Sequence, residues 1–280
     1  MLLASAQAQD EPESERWRQV AAAQTVYLDT ADGRVVIELN PDYAPRTVAR
    51  FKHLIEQRFY DGLGFYRVID GFVAQGGDGS DLSGEHPQPT LPAEFERQLN
   101  ASRPYTQVQQ KDLFAAETGF QQGFAIGRDP QQQREWLLHC PGVVAMARGN
   151  ESDSGSTDFY IVIGQAPRYL DRNLTIFGRV IHGMDVVQRI QRGAASDNGI
   201  INERAARTSI VRMRLASELP ADQRQLIDVI DTHTPGFNNY LQQRRRRDQA
   251  FFQHQPPAVL DICQIPLASR IRAPADGYSQ

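Results

Sequence analysis

Apolar and polar positions alternate in short runs along most of the first 216 residues. "TVYLDT" and "RVVIELN" are β-rich runs separated by Ala31, Asp32 and Gly33, and Asp-Gly supplies the residues that a tight hairpin turn needs. In "APRTVARFKHLIEQRF" the period changes. Val48, Phe51, His53, Leu54, Ile55 and Phe59 recur near helical spacing, with Pro45 at the opening turn. Further short apolar runs at residues 65–69, 72–75, 142–148, 159–163, 176–180 and 209–215 are bounded by Gly, Pro, Asn or Asp and read as strands. A second helix is expected over "GMDVVQRI". Eight strands against two helices favour a mainly β fold, and specifically a closed antiparallel barrel, which leaves no sheet edge exposed.

The flanks read differently. Residues 10–24 are acidic, then Gln- and Ala-rich, and form a loose or helical leader. Residues from about 100 to 140 make a polar, glutamine-rich insertion too long for an ordinary connection. Residues 217–280 form a partly helical C-terminal extension. One helix is expected over "PADQRQLIDVID" and another opens at Thr234-Pro235, with a final extended segment in "AVLDICQIPLASRIRAP".

Composition narrows the functional classes. The chain has 280 residues, 40% of them hydrophobic and 23% charged, enough for one sizeable core with appendages. A net charge of -4 gives no concentrated positive surface for nucleic acid or an anionic membrane, and Arg244 to Arg247 read as a solvated helix face. No apolar stretch approaches a membrane-spanning length. The start, "MLLASAQAQDEPESE", resembles the end of a secretory signal, with residues 1–9 as its remnant. A periplasmic or secreted location is therefore expected, with the cytoplasm as the alternative. Cys140 and Cys263 fit one disulfide in an oxidising compartment and equally fit two buried thiols.

Most familiar chemistries fail on named residues. The six histidines are scattered without HExxH or paired spacing, so no metal site is expected. No serine has the flanking glycines of a hydrolase nucleophile elbow. "QGGDGSD" lacks dinucleotide and P-loop spacing, and "NESDSG" begins like a calcium loop but has Ile161 where the closing Glu belongs. What survives is "GFYRVIDGFVAQGGDGS". Period two places Phe65, Arg67 and Ile69 on one strand face, and Val73 and Gln75 on one face of the next. A shallow apolar surface carrying a fixed guanidinium and an amide suits an extended, uncharged ligand such as a peptide.

These residues resemble a family. "FYRVIDGFVAQGGD" is similar to the cyclophilin-type peptidyl-prolyl isomerase signature F-H-R-V-I-x-G-F-x-x-Q-G-G-D, and "PGVVAMAR", "GSTDFYIVI" and "YLDRNLTIFGRVIHGMDVVQRI" follow in that family's order. The resemblance implies an isomerase domain over residues 25–216, built as an eight-stranded barrel capped by two helices. It also implies cis/trans isomerisation of bonds preceding proline, without cofactor, in proline-containing segments of folding proteins. Arg67 matches the catalytic arginine, and Gln75 the glutamine that binds substrate backbone and helps hold it. Phe65, Phe72, Val73, Ala147, Arg148, Phe159, Tyr169, Leu170 and Leu174 make up the expected substrate-binding set. Departures stand out: Tyr66 replaces the family's His, Tyr169 its pocket Trp, Leu174 a pocket His and Arg148 an Asn. Loss of the Trp implies weak or no cyclosporin binding. A proline-binding chaperone module with little catalysis is the competing expectation.

Overall fold

The computed structural model describes residues 16–84 and 87–272; the signal-like residues 1–9 lie outside them. Two compact units emerge. Residues 20–97 and 136–226 form one, and residues 16–19, 98–135 and 227–272 form the other. The end of the leader (residues 16–19), most of the insertion (98–135) and the described part of the extension from residue 227 onward, expected as separate appendages, thus belong to one unit, whereas residues 20–24, 136–140 and 217–226 belong to the larger one.

The larger unit is an eight-stranded antiparallel sheet of β1 Thr25–Thr30, β2 Gly33–Leu39, β3 Gly64–Ile69, β4 Val73–Gly77, β5 Val143–Met146, β6 Phe159–Val162, β7 Ile176–His182 and β8 Arg212–Leu215. Its spatial order is β8-β1-β2-β7-β5-β6-β4-β3. The β1–β2 hairpin closes as expected, with Thr30 opposite Gly33. Helix α1, Pro45–Glu56, buries Thr47, Val48, Phe51, Leu54 and Ile55 at the spacing that places them on one face. Its first turn carries no acid of its own. Glu94 supplies one from afar, accepting the Arg46 and Thr47 backbone N–H groups at 3.0 and 2.9 Å, so a remote carboxylate satisfies donors that the helix leaves open. A short α2, Ser80–Ser83, and α3, Met184–Arg189, complete the helices of this unit.

The sheet is not closed. Strands β8 and β3 are its two edges, against the expectation of a closed barrel. The outer edge of β3 is instead taken by the irregular stretch 193–210. Val68 N–H donates to Gly199 O, Ile201 N–H to Tyr66 O and Phe65 N–H to Thr208 O, with isolated bridges at Gly64–Ser209 and Arg67–Ile200. Strand β3 is bulged between Phe65 and Arg67, which interrupts a regular ladder, and an irregular segment can meet the displaced backbone groups where a straight strand cannot. The core lies between the sheet and α1, where Phe51, Tyr60, Phe65, Phe159 and Phe177 form an aromatic cluster.

In the smaller unit, Thr106–Gln110, Glu117–Gln121 and Phe124–Asp129 form an antiparallel meander. Trp17–Gln19 and Ser269–Ile271 flank Ile227–Ile230. The last of these replaces an expected helix: only Ala221–Gln223 takes a helical turn, and Ile227–Ile230 is extended because partners on both sides satisfy its backbone. Helix α4, Pro235–Arg246, begins where expected, with Thr234 Oγ1 accepting the Phe237 N–H at 3.1 Å. The arginine run is a clasp more than a bare solvated face. Arg244 reaches the Gln264 carbonyl, Arg245 the Val108 carbonyl, and Arg247 those of Pro257 and Val259. Both cysteines are disulfide-bonded, and no helix among the described residues is long and apolar enough to cross a membrane.

One ionisable group in this unit sets an expected pH response. His233 Nε2 accepts the Gln122 N–H at 2.9 Å, while Nδ1 lies 3.2 Å from Thr106 Oγ1, whose hydroxyl donates to Thr232 O. Protonation would set two donors against each other. Burial holds the His233 pKa below its ordinary 6.5, with Arg18 pushing the same way and Asp231 opposing. The unfolded chain binds the proton more readily, so stability is full above about pH 6.5 and falls as pH drops toward the folded-state value. Thermal unfolding across pH 5 to 8 should show this loss, and His233→Gln should flatten it; identical pH profiles for the two proteins would remove His233 as the cause.

Candidate active site

Strand register decides which side chains share the outer face of the sheet. Arg67 pairs with Gln75 and Ile69 with Val73 across β3–β4; Tyr160 pairs with Gln75 and Val162 with Val73 across β4–β6; Ala145 pairs with Tyr160 across β5–β6. Arg67, Gln75, Tyr160 and Ala145 therefore form one transverse row, with Ile69, Val73 and Val162 beside it. The opposite face carries Phe65, Val68, Ala74, Phe159 and Ile161, all fully buried in the core.

This corrects two expected substrate contacts. Phe65 does not share a face with Arg67, because the bulge turns it inward, where its ring meets Phe159 edge-on at 6.0 Å. Phe159 is 0% exposed and also packs on Phe51 and Tyr60. Its neighbour Tyr160 holds the outer position. Alternation in "FYIV" separates the two residues onto opposite faces, but only pairing with β4 says which face is which.

Arg67 is half-buried, and Gln75 is its one hydrogen-bond partner among the described residues: Nη1 donates to Gln75 Oε1 at 3.2 Å. Its remaining guanidinium donors have no partner among the described residues. Gln75 is 3% exposed, and its Nε2 donates to the Tyr66 hydroxyl at 2.6 Å, so both ends of its amide are engaged inside the protein. The structure assigns it to holding Arg67 more than to contacting substrate backbone.

A second network backs Tyr160. Its hydroxyl lies 2.9 Å from His139 Nε2, His139 Nδ1 lies 3.1 Å from Asp171 Oδ1, and Arg168 pairs with the other Asp171 oxygen. Burial first, and the Asp171 charge second, raise the Tyr160 phenol far above its ordinary pKa, so it stays neutral. Asp171 also accepts the His139 N–H, which anchors the turn Arg168–Leu170 that carries Tyr169 and Leu170. Tyr169 is 65% exposed, and Leu170 and Leu174 are half-buried. Ala147 is buried, with its N–H on Asp158 O. Arg148 is tied down at the rim: its donors reach the carbonyls of Gly149, Asn150 and Asn173, and its guanidinium lies 5.6 Å from the Phe95 ring centroid. Phe72 sits half-buried in the β3–β4 turn, its N–H on Ile69 O.

The family model described as cyclophilin type peptidyl-prolyl cis-trans isomerase matches residues 25–214. The chain belongs to the cyclophilin-type peptidyl-prolyl cis-trans isomerases. It is 31% identical over 189 residues to a probable peptidyl-prolyl cis-trans isomerase of Brucella suis, covering 63% of this chain and 76% of the relative. It is 31% identical over 170 residues to peptidyl-prolyl cis-trans isomerase B of Bacillus subtilis, covering 60% of this chain and 92% of that protein. Among solved structures, the cyclophilin AquaCyp293 from Hirschia baltica superimposes with a TM-score of 0.76 at 29% identity, covering 94% of this chain and 96% of that one. That coverage extends over both units of this cyclophilin. Its enzyme class is isomerase.

Sequence reasoning missed Tyr160, His139, Asp158 and Asp171. Each lies far from the signature along the chain, and only the fold brings them together.

Proposed function

We propose that this cyclophilin accelerates rotation about Xaa-Pro bonds in exported proteins, with Arg67 as its catalytic residue. The presentation of Arg67 carries this reading: it is held at one nitrogen by Gln75, without a partner at the others among the described residues, and flanked by Ile69, Val73 and Tyr160. Rotation costs about 20 kcal/mol because the amide gives up resonance. No bond is made or broken, so a nucleophile has nothing to do. In the twisted state the proline nitrogen turns pyramidal and regains its lone pair. A rigid, permanently charged donor aimed at that lone pair stabilises the twisted state over both planar ones. Phe72, Val73, Tyr160, Leu170 and Leu174 supply apolar surface for the proline ring, and proline-containing peptide is the substrate class. Exchange spectroscopy on an Xaa-Pro peptide tests the reading: the protein should speed cis/trans exchange, and Arg67→Ala should bring it close to background.

The exported setting is supported by the disulfide-bonded state of Cys140 and Cys263, since such bonds persist in oxidising compartments. Thiol titration of protein isolated from its native host, denatured without reductant, should find no free thiol. Two titrating thiols would count against export.

A further inference from the structure

We propose that Tyr66 and Asp158 form a buried relay that sets the position of Arg67 through Gln75. The proposal rests on the reading of Arg67 as the catalytic residue. The hydrogen bonds run in one direction. Asp158 Oδ2 accepts the Tyr66 hydroxyl proton at 2.9 Å, the Tyr66 oxygen accepts from Gln75 Nε2 at 2.6 Å, and Gln75 Oε1 accepts from Arg67 Nη1 at 3.2 Å. A carboxylate accepts only, so the phenol must donate to it and keeps its lone pair for the amide nitrogen. That fixes the amide orientation: its oxygen must face the guanidinium. A flipped Gln75 would set an NH2 group against Arg67 and lose both bonds.

The carboxylate end is built in. Asp158 is 1% exposed and also accepts from the Gly79 N–H at 3.1 Å and from Ser80 Oγ at 3.4 Å. A buried carboxylate needs such donors to offset its desolvation. The last glycine of the signature makes room for it. A Cβ on Gly77 would stand 2.0 Å from Asp158 Oδ1, and the Gly77 φ of +139° disfavours any side chain there. The bulge in β3 supplies the third element. It lets Phe65 turn into the core and Arg67 face outward, while Tyr66 between them is buried against Asp158. A negative charge at one end of the relay and a guanidinium at the other polarise the two neutral groups between them, which strengthens each bond in the chain.

Tyr66 and Asp158 are positioning residues, so their effect should pass entirely through Arg67. Tyr66→Phe keeps the ring and removes the hydroxyl. By analogy with partners that orient catalytic groups elsewhere, it should lower kcat about tenfold with KM within about twofold. In an Arg67→Ala background the same substitution should change nothing further, because the residue it positions is gone. A merely structural role would lower both backgrounds by a similar factor, and that result, or a Tyr66→Phe enzyme with wild-type kcat, would overturn the relay. If Tyr66→Phe does not fold, the same cycle is run with Asp158→Asn, which keeps the volume and removes the charge, with the same outcomes deciding. The two readings separate cleanly. Arg67→Ala at wild-type speed sinks the catalytic arginine and the relay with it, whereas slow Arg67→Ala beside fast Tyr66→Phe and Asp158→Asn sinks the relay alone.

Discussion

Replacing Arg67 by alanine is expected to lower isomerase turnover by about 100-fold or more, the usual effect of deleting one preorganised donor that acts on charge developing in the transition state. The size follows from how little else the reaction needs. A hydrolase distributes its work among nucleophile, base and oxyanion site, but amide rotation requires only a surface that grips proline and a donor for the nitrogen lone pair. Removing the donor leaves the grip. Substrate binding should therefore weaken less than turnover falls. Arg67→Lys should lie between, since lysine keeps the charge and loses the planar fork that Gln75 holds at one corner. Stability should barely move, because Arg67 lies on the outer face and is only half-buried. Exchange spectroscopy alongside thermal unfolding would show it, and an alanine variant as fast as wild type would end the reading.

The second large effect is on stability. Phe159→Ala should cost about 3–5 kcal/mol, the range for removing a buried phenylalanine. Its ring packs edge-on against Phe51 at 5.6 Å, Tyr60 at 5.6 Å and Phe65 at 6.0 Å, between the sheet and α1. Phe51 sits on α1, Tyr60 in the turn that follows it and Phe65 on β3, and these packed elements cannot collapse into the space left behind. For a protein of this size the loss corresponds to a Tm lowered by roughly 10 °C. At low temperature, where the variant remains folded, turnover should survive. The contrast bears directly on the site: a residue of the peptide surface would raise KM and leave Tm in place, and that outcome would return Phe159 to the proline pocket. Tyr160, one position on, is the residue of the pair that shares the outer face with Gln75 and Arg67.

Much of the site was legible because its elements are local. The signature from Phe65 to Asp78 spans two adjacent strands joined by a short turn, so the sequence itself places Arg67 near Gln75, and alternation puts Val73 beside the glutamine. The limit of that logic appears at Tyr66. Strict alternation groups Phe65 with Arg67, and a one-residue bulge undoes the grouping. The bulge answers to Ile201 and Thr208, which take up backbone groups of β3 from more than a hundred residues away. No local pattern reports such a partner.

Short-range periodicity and a motif confined to one hairpin were enough to establish the family, the antiparallel strands and two main helices of the isomerase unit, and the arginine and glutamine at the centre of the face. Tertiary structure decided the rest. It left the sheet unclosed between β8 and β3, turned Phe159 inward and Tyr160 outward, and seated Asp158 in the space that Gly77 leaves free. It also gathered residues 16–19, 98–135 and 227–272 into one unit, pairing Trp17–Gln19 with Ile227–Ile230 across more than two hundred residues. The physical reason is common to all four. Alternation defines two faces of a strand without naming the buried one, and an unpaired strand does not specify its neighbour. Both are fixed only when hydrogen bonds and apolar contacts form between segments that the chain keeps far apart.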